Sequence, residues 1–105
     1  MAYTGNEDFK IDLVDAKVLT RRYRGTMSTT DKSGGYFGKS NLIALLSQDT
    51  CVGIRYYYGL DENNVQVLVI VGVDSNQNDL LNGLILERSF PCPTSCGEAN
   101  ELNSD

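Results

Sequence analysis

The run "VQVLVIVGVD" at 65–74 limits what this chain can build more than any other stretch. In an extended strand Val65, Val67, Val69, Val71 and Val73 share one face, and Leu68 and Ile70 make the other face apolar as well. A strand covered on both faces belongs in the middle of a sheet. Polar turn chemistry brackets it, "DENN" at 61–64 and "SNQND" at 75–79. Before the first turn, "CVGIRYYYGL" at 51–60 alternates and is rich in β-branched and aromatic residues, which predicts a strand joined to the valine run as an antiparallel hairpin. Val52, Ile54, Tyr56 and Tyr58 share the face read as core, and Gly53, Arg55 and Tyr57 share the other. After the second turn, "LLNGLILERSF" at 80–90 predicts a third strand, because Asn82-Gly83 lowers helix propensity in mid-run.

The helical signals lie earlier. In "IDLVDAKVLTRRYRG" Asp12 is placed to cap a helix, Asp15 sits near the positive end of its dipole, and Ile11 can staple onto Ala16. Arg21, Arg22 and Arg24 occupy the last turn before Gly25, where dipole complementation and solubility account for them. Ala16, Leu19 and Tyr23, flanked by Leu13, are expected to face the core. Residues 25–38 are rich in Gly, Ser and Thr and predict a flexible connection. A shorter helix follows in "KSNLIALLSQ", with an apolar stripe of Leu42, Ile43, Leu45 and Leu46.

Composition bounds the function. The chain has 105 residues, enough for one domain with a core. Nine Lys and Arg against fourteen Asp and Glu leave a net charge of −5, which repels phosphate backbones and anionic headgroups. Neither nucleic acid nor membrane is an expected partner. "MAYTGNEDFK" has no apolar signal region, and "VLVIVGV" at 67–73 is too short to span a bilayer, so a cytoplasmic location is expected. Thiols normally stay free there.

Three motifs invite a sharper reading. "SGGYFGKS" at 33–40 resembles a phosphate loop, but Ser33 stands where that loop needs its first glycine. "DSNQND" places Asp74, Asn76 and Asn78 at alternate positions, as a calcium loop does; Asp79 then replaces the turn glycine and Ile85 the closing glutamate. No histidine is present, so neither a Ser-His or Cys-His pair nor an HExxH site can be assembled. The acids fall in caps, turns and tail, and no catalytic residue or cofactor is implied.

Cys51, Cys92 and Cys96 are the remaining candidates. "PCPTSCG" at 91–97 has C-x-x-x-C spacing, unlike the C-x-x-C of thioredoxin-like pairs, and three thiols without an imidazole fall short of a closed zinc site. Pro91 and Pro93 favour an extended segment, so the simplest reading is a bend with free thiols. A Cys92–Cys96 or Cys51-linked disulfide and a zinc site stay open as alternatives.

The combination of "CVGIRYYYGLDEN", "VLVIVGVDSNQNDLLNG" and "PCPTSC" resembles a group of small bacterial proteins known mainly as uncharacterised, over about residues 9 to 103. In that group helix, loop and helix lead into the same Cys-Val-Gly-Ile-Arg strand. The resemblance implies this order of elements, and neither an activity nor catalytic residues.

The expectation is therefore an α+β domain over 9–96, two N-terminal helices packed on an antiparallel sheet of about three strands, with a flexible start at 1–8 and a disordered acidic tail at 97–105. A non-catalytic interaction or self-associating protein is the leading functional reading. It works through a sheet edge or the "RYYY" side chains, Arg55 and Tyr57 among them, with a protein or a second copy as partner. The alternative is a metal- or redox-responsive protein using Cys51, Cys92, Cys96 or the 74–79 loop.

Overall fold

The computed structural model describes residues 1–104. Its elements are helix α1 (Leu13–Arg24), strand β1 (Gly34–Tyr36), helix α2 (Lys39–Leu46), and strands β2 (Gly53–Leu60), β3 (Gln66–Val73), β4 (Ile85–Glu87) and β5 (Phe90–Cys92). They divide into two compact units. Met1–Asp8 with Phe37–Ser89 forms the first, and Phe9–Tyr36 with the chain from Phe90 on forms the second.

The first unit holds an antiparallel sheet of order β2-β3-β4, with the valine run at its centre as the two-faced apolar pattern requires. β2 and β3 pair from Gly53↔Val73 to Leu60↔Gln66. Asp61 makes the hairpin turn, its Oδ1 accepting the N–H groups of Asn63 at 2.8 Å and Val65 at 2.9 Å. β4 adds only the pairs Val69↔Glu87, Ile70↔Leu86 and Val71↔Ile85.

Helix α2 lies against β3. Leu45 is 0% exposed and, with Ile70, Val71 and Val73, makes up the buried hydrophobic core. A Cβ on Gly72 would meet Gln48 Nε2 at 2.9 Å, Cys51 Sγ at 3.0 Å and Leu80 Cδ1 at 3.3 Å, so only glycine lets these groups close over that face of β3. Gln48 itself ties the layer together: its Nε2 donates to the Leu45 carbonyl at 2.8 Å and its Oε1 accepts the Leu84 N–H at 2.8 Å.

The second unit pairs β1 with β5, Gly34↔Cys92 through Tyr36↔Phe90, and stacks Tyr36 on Phe90 with ring centroids 5.9 Å apart. Its helix α1 starts and stops where the sequence expects. Asp12 is the N-cap residue, although its side chain makes no capping hydrogen bond, and Arg21, Arg22 and Arg24 fill the last turn. Beyond Cys96 the tail folds on itself, the Asn100 side chain accepting the N–H groups of Leu102 and Asn103 at 2.8 and 3.1 Å. Arg24 reaches the Leu102 carbonyl at 2.7 Å.

Four expectations need correction. The two helices do not share one sheet, because α1 belongs to the unit of the two-stranded ribbon; it has no buried residue, and Leu19 and Tyr23 are exposed. The glycine-rich connection contains β1, since Ser33 through Tyr36 finds an extended partner in the proline-stiffened 90–92 segment. The third strand ends at Glu87, and Phe90–Cys92 leaves for the second sheet. On β2, Ile54, Tyr56 and Tyr58 form an exposed face, because alternation separates two faces without saying which one is covered.

Candidate functional site

β2 is an edge strand, paired on one side only. The pairing phase follows from the flanking bonds: the Asp61 N–H meets the Val65 carbonyl, and the Leu80 N–H meets the Gly72 carbonyl on the other side of β3. In a regular antiparallel ladder the odd residues of β2 then bond to β3, and Ile54, Tyr56 and Leu60 turn their N–H and C=O outward. The even side chains share one face and are exposed, Ile54 by 45%, Tyr56 by 55%, Tyr58 by 72% and Leu60 by 68%. Tyr56 and Tyr58 meet edge to face, with ring centroids 5.7 Å apart.

The odd face carries a polar clasp. Arg55 and Tyr57 stand two residues apart, and the Val73↔Asp79 bridge brings Asp79 across the 74–78 turn to the same face. Arg55 Nη1 donates to Asp79 Oδ1 at 2.5 Å and to the Gln77 carbonyl at 3.2 Å, while the Tyr57 hydroxyl donates to Asp79 Oδ2 at 2.5 Å. Asp79 and then Tyr3 push the Arg55 guanidinium further toward its charged form. The Arg55 and Asp79 side chains are 30% and 16% exposed, so the pair is screened less than a surface bridge.

Each group is held in its ordinary charge state. The Tyr57 hydroxyl and then Arg55 keep the Asp79 carboxylate below its usual range against the opposing effect of burial. Its hydrogen bond to Asp79 pushes the Tyr57 phenol up. A carboxylate occupied at both oxygens is a poor base, and a phenol bound to it is a poor acid. The clasp therefore fixes side chains instead of moving protons, and it leaves β2 with a neutralised arginine and an immobilised tyrosine ring. Arg55 and Tyr57, the sequence-predicted interaction residues, are brought together here. Asp79 was missed in that role; the sequence shows it only as a departure from the calcium-loop pattern.

The metal candidates do not converge. Cys51 is a free, half-buried thiol donating to the Gly53 carbonyl at 3.2 Å. Cys92 and Cys96 lie in the second unit and form a disulfide, which replaces the free-thiol reading of "PCPTSCG". Asp74 Oδ1 accepts the N–H groups of Asn76 and Asn78 at 2.9 and 3.0 Å, folding the loop onto its own carboxylate. Among the described residues no group of three or more His, Cys, Asp or Glu is placed to hold a metal ion. Among them, too, no helix is long and apolar enough to cross a membrane. Compared with family models, curated proteins and solved structures, the chain matches none.

Proposed function

We propose that this chain is a non-catalytic interaction module that self-associates through the open edge of β2. The observation that supports it is the contrast between the two edges of one sheet. Proteins guard exposed edges by keeping them short or charged. β4 does both, with three residues ending in Glu87 beside Arg88. β2 does neither: it runs eight residues from Gly53 to Leu60, and its one charge, Arg55, is neutralised by Asp79.

Strand addition across that edge supplies main-chain hydrogen bonds along about 27 Å, the length of eight extended residues. The Ile54, Tyr56, Tyr58 and Leu60 side chains supply apolar area beside it, tyrosines doing so at low entropic cost. Each copy carries a net charge of −5, so association tightens as salt screens the repulsion.

Sedimentation velocity over a micromolar concentration series tests this. Wild type is expected to dimerise, more tightly at higher ionic strength, and Ile54→Lys with Tyr56→Lys is expected to stay monomeric with a similar melting temperature. A wild type that remains monomeric at high micromolar concentration overturns the proposal. So does a double variant that dimerises equally well, and so does a purely heterologous partner bound at the same edge.

A further inference from the structure

The second unit carries chemistry that the β2 edge does not use. Cys92 and Cys96 are joined with Cα atoms 4.9 Å apart, yet their surroundings differ. Cys92 is the last residue of β5 and half-buried, and its carbonyl accepts the Ser33 N–H at 2.7 Å. The Ser33 hydroxyl lies 3.2 Å from that carbonyl oxygen and 3.6 Å from Cys92 Sγ. Cys96 lies beyond the turn that the Ser95 N–H closes on the Pro91 carbonyl at 2.7 Å, and it is exposed. Lys32 places its ammonium on the Pro93 carbonyl at 2.7 Å, inside the loop that the two sulfurs close.

Thiol–disulfide exchange depends on which sulfur an incoming thiolate can reach and which one leaves more readily. Access favours attack at Cys96. A hydroxyl donor and a nearby ammonium favour thiolate character at Cys92. We propose that Cys92–Cys96 is a thiol–disulfide exchange site for low-molecular-weight thiols, in which Cys96 is attacked and Cys92 leaves as a thiolate held by Ser33.

The step balances without a further co-reactant. The incoming thiolate forms a bond to Cys96 Sγ, the bond between Cys96 and Cys92 breaks, and its electron pair goes to Cys92. A second thiol removes the first from Cys96 as a small disulfide. The two protons of the thiols end on Cys92 and Cys96, and two electrons have passed from the thiols to the protein. Ser33 acts as a positioning residue for the leaving sulfur, and the proposal stands independently of the sheet edge.

The test uses the oxidised full chain and reduced glutathione, with acid quenching and peptide mapping. Glutathione is expected on Cys96, with Cys92 free. Ser33→Ala keeps the backbone bond to Cys92 but should slow reduction about threefold to tenfold, the worth of one ordinary net hydrogen bond. It should also raise the pH at which the Cys92 thiolate absorbs in the reduced protein, and Ser33→Thr should restore both. Glutathione found on Cys92 to an equal or greater extent overturns the proposal. An Ser33→Ala rate and thiolate titration equal to wild type overturns it as well.

Discussion

The Gln48 carboxamide and Gly83 are expected to behave as one energetic unit, which a double-mutant cycle can measure. A Cβ on Gly83 would land against Gln48 Oε1 and lie 3.1 Å from Cδ, so Gly83→Ala must push the carboxamide off the Leu84 N–H. Displacing both Gln48 hydrogen bonds costs about 2 kcal/mol at about 1 kcal/mol each. The alanine returns about 0.5 kcal/mol by narrowing the unfolded ensemble, since Gly83 is not in the left-handed region. The net expectation for Gly83→Ala is a loss of about 1.5 kcal/mol. Gln48→Ala loses the same two bonds, about 2 kcal/mol. In the double variant the new methyl has no carboxamide to displace, so the cost stays near 1.5 kcal/mol where additivity predicts about 3.5 kcal/mol. Urea denaturation with matched m values reads the coupling of about 2 kcal/mol directly. Additivity within about 0.5 kcal/mol would refute the reasoning. Gly72→Ala is the control, because two of its three close neighbours, Cys51 Sγ at 3.0 Å and Leu80 Cδ1 at 3.3 Å, remain when Gln48 is truncated.

Val71 is 2% exposed at the sheet centre, so Val71→Asp should unfold the first unit, whereas Glu98→Lys in the exposed tail should leave the circular-dichroism melt unchanged. Asp79 has a lowered pKa and Tyr57 a raised one, so their contribution is fully present between about pH 4 and pH 10, the unfolded values. It is lost as pH falls through the depressed Asp79 value or rises through the elevated Tyr57 value, and a pH series of melts on wild type and Asp79→Asn should show the plateau flattening in the variant. The Cys92–Cys96 bond closes a short loop worth about 2 kcal/mol in chain entropy, so Cys92→Ser with Cys96→Ser should lower stability by that amount, and reductant should do the same to wild type in matched urea curves. Asp12→Ala should cost less than about 0.5 kcal/mol in the same assay, below the usual N-cap loss, because the Asp12 side chain makes no capping bond.

The parts of the fold legible in the sequence are those set by local pattern. The valine run announced the central strand, Asp61 announced its turn, and both helices begin and end within a residue or two of their composition signals. Pairings between distant segments left no such mark. Gly34–Tyr36 has too few side chains to read as a strand until Phe90–Cys92 lies beside it, more than fifty residues later. The C-x-x-x-C spacing permits a disulfide without demanding one. Arg55 and Tyr57 could be singled out as amphipathic residues on a strand, but Asp79, 24 residues beyond Arg55, becomes their partner only through the Val73↔Asp79 bridge. The misread face of β2 has the same origin, because the Asp79 clasp that closes on the odd side chains comes from a segment 24 residues beyond Arg55.

That clasp bears on how two copies would meet. With Ile54, Tyr56 and Leu60 directing their backbone groups outward, an antiparallel two-fold must pair even residues with even residues. A two-fold at Tyr56 sets Ile54 against Tyr58 of the second copy and Arg55 against Tyr57, and one at Tyr57 sets Ile54 against Leu60 and Tyr56 against Tyr58. Both place apolar and aromatic side chains in cross-strand contact on the even face. The next register back, centred on Arg55, crowds the two clasps against each other and leaves Tyr58 and Leu60 opposite residues that lie outside β2. By holding Arg55 on its own carboxylate, Asp79 lowers the charge presented at the seam in the two favourable registers. In the proposed dimer a six-stranded sheet would carry β4 at both ends, so that three-residue strands ending in Glu87 would form its outer edges.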